Sequence, residues 1–232
     1  MDTTSPAPGY RVRQQRVAVA GGADLEIRSL LDRRQYADPL GEAADAGISA
    51  ANWPLFGLVW PSAQVLADLM QIWAFGSRRV LEIGCGLALA SLVVHRRDGD
   101  ITASDCHPLT ESFLRENLRL NAMPMLRYRT GHWGRANPLL GEFDLIIGSD
   151  VLYERGQPDQ LAAFIGRHAA PRAEVLIVDP DRGNRNALHR GMHRAGFDPT
   201  ETRIDAPLAD GSAYRGRLLR YRRDAAPSGR AR

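Results

Sequence analysis

Apolar residues recur at helical spacing through Val65, Leu66, Leu69, Met70, Ile72 and Trp73, a run that opens at Pro61 and stops at Gly76. Four short apolar segments follow: Arg79 to Ile83, Asp100 to Ser104, Phe143 to Gly148 and Glu174 to Val178. They alternate with helical stretches near Leu89 to Arg96, Leu109 to Asn121, Pro158 to Ala169 and Arg185 to Ala195. Strands without polar alternation, each followed by a helix, predict a doubly wound, mostly parallel α/β sheet. Pro199 to Ile204 and Ala213 to Tyr221 read as antiparallel strands closing one edge. Upstream, Arg11 to Ala20 and Leu25 to Leu31 flank Gly21-Gly22 and predict an N-terminal β-hairpin. Residues 37 to 53 show no firm period and are expected to be loop with at most a short helix. The pattern predicts one domain over residues 10–224, with the hairpin at 11–31, a core at about 50–222, and flexible ends at 1–9 and 225–232.

Composition narrows this picture. A chain of 232 residues with 44% hydrophobic and 25% charged content has enough apolar surface for one substantial core. The net charge of +3 arises from 30 cations, all arginine, against 27 acids along the whole chain, so no nucleic-acid partner is expected. Cys85 and Cys106 are too few for a disulfide framework and suggest a reducing, cytoplasmic setting. The first residues lack a basic-then-apolar leader, and no apolar stretch is expected to approach the ~18 residues of a membrane span.

The candidate chemistry lies at strand ends. In a doubly wound sheet, ligands sit outside the carboxyl ends of the strands, where glycines admit close backbone approach. Gly84-Cys85-Gly86 stands there, after Arg79 to Ile83. Asp105 ends the next strand 21 residues after Gly84 (105 − 84), near the ~20 expected of an acid that accepts from ribose hydroxyls. Glu82 lies inside the strand end, where a carboxylate needs strong donors such as a cationic amino group or loop backbone. A dinucleotide fingerprint would need a third glycine at position 89, which is Leu. The turn instead resembles the Glu-x-Gly-x-Gly-x-Gly signature of S-adenosylmethionine enzymes. Ala88 replaces its last glycine, a change expected to cost little if the backbone angle there is ordinary.

Four features in order, Val59-Trp60-Pro61, the glycine turn, His132-Trp133-Gly134 and Asp150-Val151-Leu152-Tyr153, extend that likeness over roughly residues 50–222. Together they resemble the class I, seven-strand S-adenosylmethionine-dependent methyltransferases, specifically the protein-lysine methyltransferase branch marked by Asp-x-x-Tyr. The resemblance implies a seven-stranded sheet with an antiparallel edge strand, and S-adenosyl-L-methionine as cofactor with S-adenosyl-L-homocysteine as product. It implies that Trp60 lies near the methionine end, that Gly84, Cys85 and Gly86 line the amino-acid and ribose portions, and that Asp105 holds the ribose. Cys106 and Ser149 are grouped with these cofactor residues, as is Glu82, and Trp133 is expected beside the adenine. Asp150 and Tyr153 would face the acceptor amine and are the expected catalytic pair. A protein substrate is expected, with a small-molecule N-methyltransferase or a non-catalytic scaffold of the same fold as alternatives.

Other motifs carry less. His189 and His193 have the i, i+4 spacing of a metal pair but no third ligand, so no metal is expected. Asp179-Pro180-Asp181-Arg182 stands at the same rim as the glycine turn and is expected either to shape the substrate mouth or to cap a helix. The arginines at 215, 217, 220, 222 and 223 are expected to be solvated on an edge strand.

Overall fold

Val80–Ile83 and Ile101–Asp105 are buried at every position, as strands covered on both faces must be. Around them the computed structural model describes residues 9–154 and 156–224; the predicted flexible ends, apart from Gly9, lie outside the described residues. The elements run β1 (Val12–Val17), β2 (Leu25–Leu30), α1 (Glu42–Asp45), a 3-10 turn (Trp53–Gly57), α2 (Pro61–Ile72), β3 (Val80–Ile83) and α3 (Leu89–Arg96). They continue with β4 (Ile101–Asp105), α4 (Thr110–Leu120), β5 (Arg127–Thr130), β6 (Phe143–Ser149) and α5 (Gln157–His168). The chain closes with β7 (Ala169–Asp179), α6 (Arg185–Arg194), β8 (Asp198–Pro207) and β9 (Ala213–Arg223).

The expected seven-stranded, doubly wound sheet is present, in the order β5-β4-β3-β6-β7-β9-β8. From β5 through β7 all pairings are parallel, and β9 runs antiparallel between β7 and β8. The final pair closes the edge as predicted, with its antiparallel member one place in from the rim. That position corrects the reading of its arginines as solvated edge residues for Arg217, Arg220 and Arg223, which are partly buried, while Arg215 and Arg222 are exposed as expected. Glu174 of β7 pairs with Arg220, Arg222 and Arg78, and Arg217 pairs with Asp181 and Glu201.

Strand β5 had no apolar pattern to reveal it, because Tyr128 alone of its four residues is even partly buried. The hairpin β1-β2 forms separately and docks on α4. Asn117 of α4 and Asn121 just past its end accept the backbone N–H groups of Arg28 and Glu26, and Asn121 donates to the Glu26 carbonyl. These amides satisfy the free edge of β2 that the hairpin leaves unpaired.

Contrary to expectation, the stretch Trp53–Ile72 is apolar enough over 20 residues to pass for a membrane span. Extended backbone at Leu58 and Trp60 breaks it, and Pro61 starts a new helix. The 12 residues of α2 reach about 18 Å, short of a ~30 Å hydrocarbon layer, and bury Leu66, Ala67 and Met70 in the core.

Candidate active site

Strands β3 and β6 are hydrogen-bonded neighbours, yet β3 leads to β4 and β5 on one side while β6 leads to β7 on the other. The sheet reverses its winding between them, and such a reversal opens a crevice beyond the strand ends. A cleft of about 580 Å³ lies there, within the ~300–1,000 Å³ range of small-molecule sites. Trp60, Gly84, Cys85, Gly86, Asp105, Cys106, Trp133, Ser149, Asp150 and Tyr153 all line it.

The glycine turn is built tightly. Gly84 and Gly86 take φ of 55° and 51°, and a Cβ at Gly86 would stand 2.9 Å from the Phe56 carbonyl oxygen. A Cβ at Gly84 would meet Val151 at 3.0 Å and the Trp133 ring at 3.5 Å. Glycine is therefore required at both positions. Ala88 shares this geometry: its φ of 60° and ψ of 37° are left-handed, which corrects the expectation of an ordinary backbone angle.

Asp105 is buried, and its two carboxylate oxygens accept from the N–H groups of Gly86 and His107, each at 2.9 Å. Burial pushes its carboxyl upward while those N–H groups pull it down. A carboxylate offers about four acceptor sites, so Asp105, which lines the cleft, keeps acceptor capacity for a hydroxyl entering it. Burial also drives the Cys106 thiol up to about 12, and Cys85 is raised as well. Neither is a thiolate near neutral pH, which removes both as nucleophiles.

Glu82 does not line the cleft. Its Oε2 accepts from the Ser91 backbone N–H at 2.8 Å and the Ser91 hydroxyl at 2.5 Å, tying the end of β3 to the first turn of α3. Burial pushes its carboxyl up to about 7. The donors are thus the backbone and hydroxyl of a helical serine, in place of the cationic amino group or loop backbone expected, and the grouping of Glu82 with the cofactor residues is corrected.

In the same cleft, Asp150 adopts a left-handed φ of 53° just beyond β6. Its carboxylate is held in a two-point pair by Arg182, with Nε–Oδ1 2.5 Å and Nη2–Oδ2 2.8 Å. Tyr153 is 43% exposed at the mouth. Beside it, Glu154 accepts from Asn52 and Gln157. Trp60 donates its indole N–H to the Leu55 carbonyl at 2.8 Å, which fixes the ring in the wall.

Some lining residues were not foreseen. Phe56 stacks on His107 with ring centroids 3.7 Å apart, and burial lowers the His107 imidazole to about 4, so it is neutral there. Nothing in the sequence announces that stack except the position of His107 two residues after Asp105. Residues Ala46, Gly47 and Ile48, from the segment without periodicity, form part of the wall over the cleft. His189 and His193 gather no metal set; His189 instead pairs with Glu201 at 2.6 Å, and no group of three ligand-type residues occurs among the described residues.

Comparison with solved structures gives the fold. The chain overlays a methyltransferase from Pyrococcus furiosus with TM-score 0.57, 18% identity, and coverage of 80% of this chain and 95% of that one. It also overlays magnesium protoporphyrin IX methyltransferase from Synechocystis, crystallised with bound SAM, with TM-score 0.54 and 17% identity, over 69% of this chain and 76% of that one. Among sequences, a calmodulin-lysine N-methyltransferase from Arabidopsis thaliana is 30% identical over 55% of this chain and 47% of its own length. Protein N-lysine methyltransferase METTL21A is 27% identical in Xenopus tropicalis over 55% of this chain and 62% of that protein. The mouse form is 26% identical over 75% and 84%. The chain thus spans about half to two thirds of the length of the first two relatives. The profile described as lysine methyltransferase matches residues 52–189, more than half of the sequence, and the chain belongs to that family.

Proposed function

We propose that this protein transfers a methyl group from S-adenosyl-L-methionine to the side-chain amine of a lysine on a partner protein in the cytosol. The observation that carries the reading is the single cleft at the winding reversal, which brings the glycine turn, Asp105 and the Asp150–Tyr153 segment together. The cofactor supplies an electrophilic methyl on a sulfonium sulfur and leaves as S-adenosyl-L-homocysteine. The residues present fit such a molecule: Gly84 and Gly86 leave backbone bare where a Cβ would close the turn, and Asp105, which lines the cleft, keeps acceptor capacity. In this reading Asp105 accepts from the ribose, Trp133 lies beside the adenine and Trp60 flanks the methionine end. Cys85, Cys106 and Ser149 complete the wall.

For the acceptor, most of the rate comes from alignment and exclusion of water. Tyr153 orients the incoming side chain, and Asp150 accepts an N–H of the amine through lone pairs that Arg182 leaves free. A lysine with a reference pKa of about 10.4 must reach the site neutral, at a cost of roughly 4 to 5 kcal/mol at pH 7. An isolated carboxylate would increase that cost.

Calorimetry with S-adenosylmethionine tests the cofactor reading, and absence of binding at millimolar ligand leaves a scaffold of the same fold. Incubation with radiolabelled cofactor and a cytosolic protein fraction, followed by hydrolysis to amino acids, tests the acceptor. Label in methyl-lysine supports the reading, whereas label in methyl-arginine or in small molecules overturns it. Because all 30 strong cations of the chain are arginine, lysine automethylation does not confuse the assay.

A further inference from the structure

Asp150 sits almost closed off, with its side chain 10% exposed, at the end of the cleft where the acceptor would arrive. An unpaired carboxylate there would hold an arriving lysine as its unreactive ammonium. The structure pairs that carboxylate with Arg182, which also lines the cleft. The loop presenting Arg182 is braced. Asp179 Oδ1 accepts the backbone N–H groups of Asp181 and Arg182 at 2.8 and 3.2 Å. The Asp181 carboxylate is in turn held by Arg185 and Arg217. A floppy rim arginine would need none of this.

The other charges that bear on the pair come from several elements. Asp179 at the end of β7 is fully buried, and burial raises its carboxyl. Asp181 is compensated by its two arginines. Tyr214 of β9 is a neutral phenol whose hydroxyl lies 3.0 Å from that of Ser62. Glu154, beyond Tyr153, bonds to Asn52 and Gln157, and Asp105 belongs to the ribose end. Arg182 is thus the cation matched directly to Asp150, in a geometry that an ammonium could not reproduce.

We infer that Arg182 is a positioning residue that cancels the charge of Asp150, so that the acceptor end is electrostatically neutral and admits the amine in its uncharged form. Asp150 then acts as an oriented hydrogen-bond acceptor, with no excess charge to trap an ammonium. The inference rests on the cofactor reading above, and the sulfonium of the cofactor is a built-in probe of it. S-adenosylmethionine carries one positive charge more than S-adenosylhomocysteine at the sulfur, and uncompensated negative charge in the shared cleft favours the former.

The test is calorimetric and needs no acceptor. The ratio of the Kd of S-adenosylhomocysteine to that of S-adenosylmethionine is measured for wild type, Arg182→Met, Arg182→Lys, Asp150→Asn and the Arg182→Met/Asp150→Asn double variant. Arg182→Met is expected to raise that ratio about fivefold at low salt. Arg182→Lys stays within about twofold of wild type, and removing Asp150 as well returns the ratio to the wild-type range. An unchanged ratio in Arg182→Met, with both molecules still binding, overturns the inference. Arg182→Gln repeats the measurement if the methionine variant does not fold. If neither molecule binds wild type, the cofactor reading fails instead, and this inference falls with it.

Discussion

Ala88 shows what a single residue adds to the glycine turn. Its methyl is buried, which is worth about 0.8 kcal/mol, but its left-handed backbone costs an L-residue roughly 1 to 2 kcal/mol. The two nearly cancel on removal, so Ala88→Gly is expected to lie within about 1 kcal/mol of wild type. Ala67→Gly, in the interior of α2 and likewise buried, loses both its methyl and its helix propensity and is expected to cost about 2 kcal/mol. Urea denaturation of the two variants checks the contrast, and equal losses would show that the left-handed strain is absent. Sequence spacing located Ala88 correctly and misjudged its backbone, because φ is set by the turn as a whole and leaves no mark in residue identity.

Glu82 was likewise placed at the right strand end but grouped with the cofactor residues, whereas its carboxylate turns to Ser91 of α3. Its carboxyl rises from 4.5 to about 7 in the fold, so the folded protein binds the proton more tightly than the unfolded chain. Its contribution to stability is full below pH 4.5 and is lost as pH climbs through 7, on the order of 3 kcal/mol in all. Glu82→Gln, which keeps an acceptor for Ser91, removes this loss. The variant's stability relative to wild type should therefore increase between pH 5 and pH 8. A pH-independent difference would mean that the Ser91 donors hold the carboxylate ionised throughout.

At the scale of elements, legibility followed burial. Strands β3, β4, β6 and β7 were evident because buried parallel strands are continuous apolar runs, whereas β5, mostly exposed at the sheet edge, carries no such signal. The pairing of Arg220 and Arg222 was not legible because their acidic partner, Glu174, lies 46 and 48 residues earlier, beyond any local pattern. That partner makes the pairing of β7 with β9 testable. Glu174 is 9% exposed and meets three guanidiniums from two segments, so Glu174→Ala leaves those cations facing one another with no acid between them. A loss of about 2 to 3 kcal/mol in denaturation is expected, smaller in Glu174→Gln, which retains an acceptor. A loss in Glu174→Ala below about 0.5 kcal/mol would mark the cluster as no more than surface pairing.

For the whole molecule, the cleft joins pieces that fold from distant parts of the chain: the wall from Ala46 to Trp60, the turns after β3 and β4, His132-Trp133 beyond β5, and the Asp150 to Tyr153 segment. A ligand seated there contacts both halves of the doubly wound sheet, so its binding free energy adds to global stability and not to one loop alone. At a hundredfold excess over Kd, S-adenosylmethionine is expected to add about 2.7 kcal/mol. For a chain of this length that corresponds to roughly 5 to 10 °C in Tm. Asp105→Ala removes the proposed ribose acceptor and also frees the N–H groups of Gly86 and His107. Its own Tm should therefore fall, and its shift with the cofactor should shrink to about 1 °C at the same ligand concentration. The two effects separate in differential scanning: the first is read without ligand, the second as the increment on adding it. An Asp105→Ala variant that keeps the full increment would place the cofactor away from the end of β4 and send the search for its ribose contact elsewhere in the cleft.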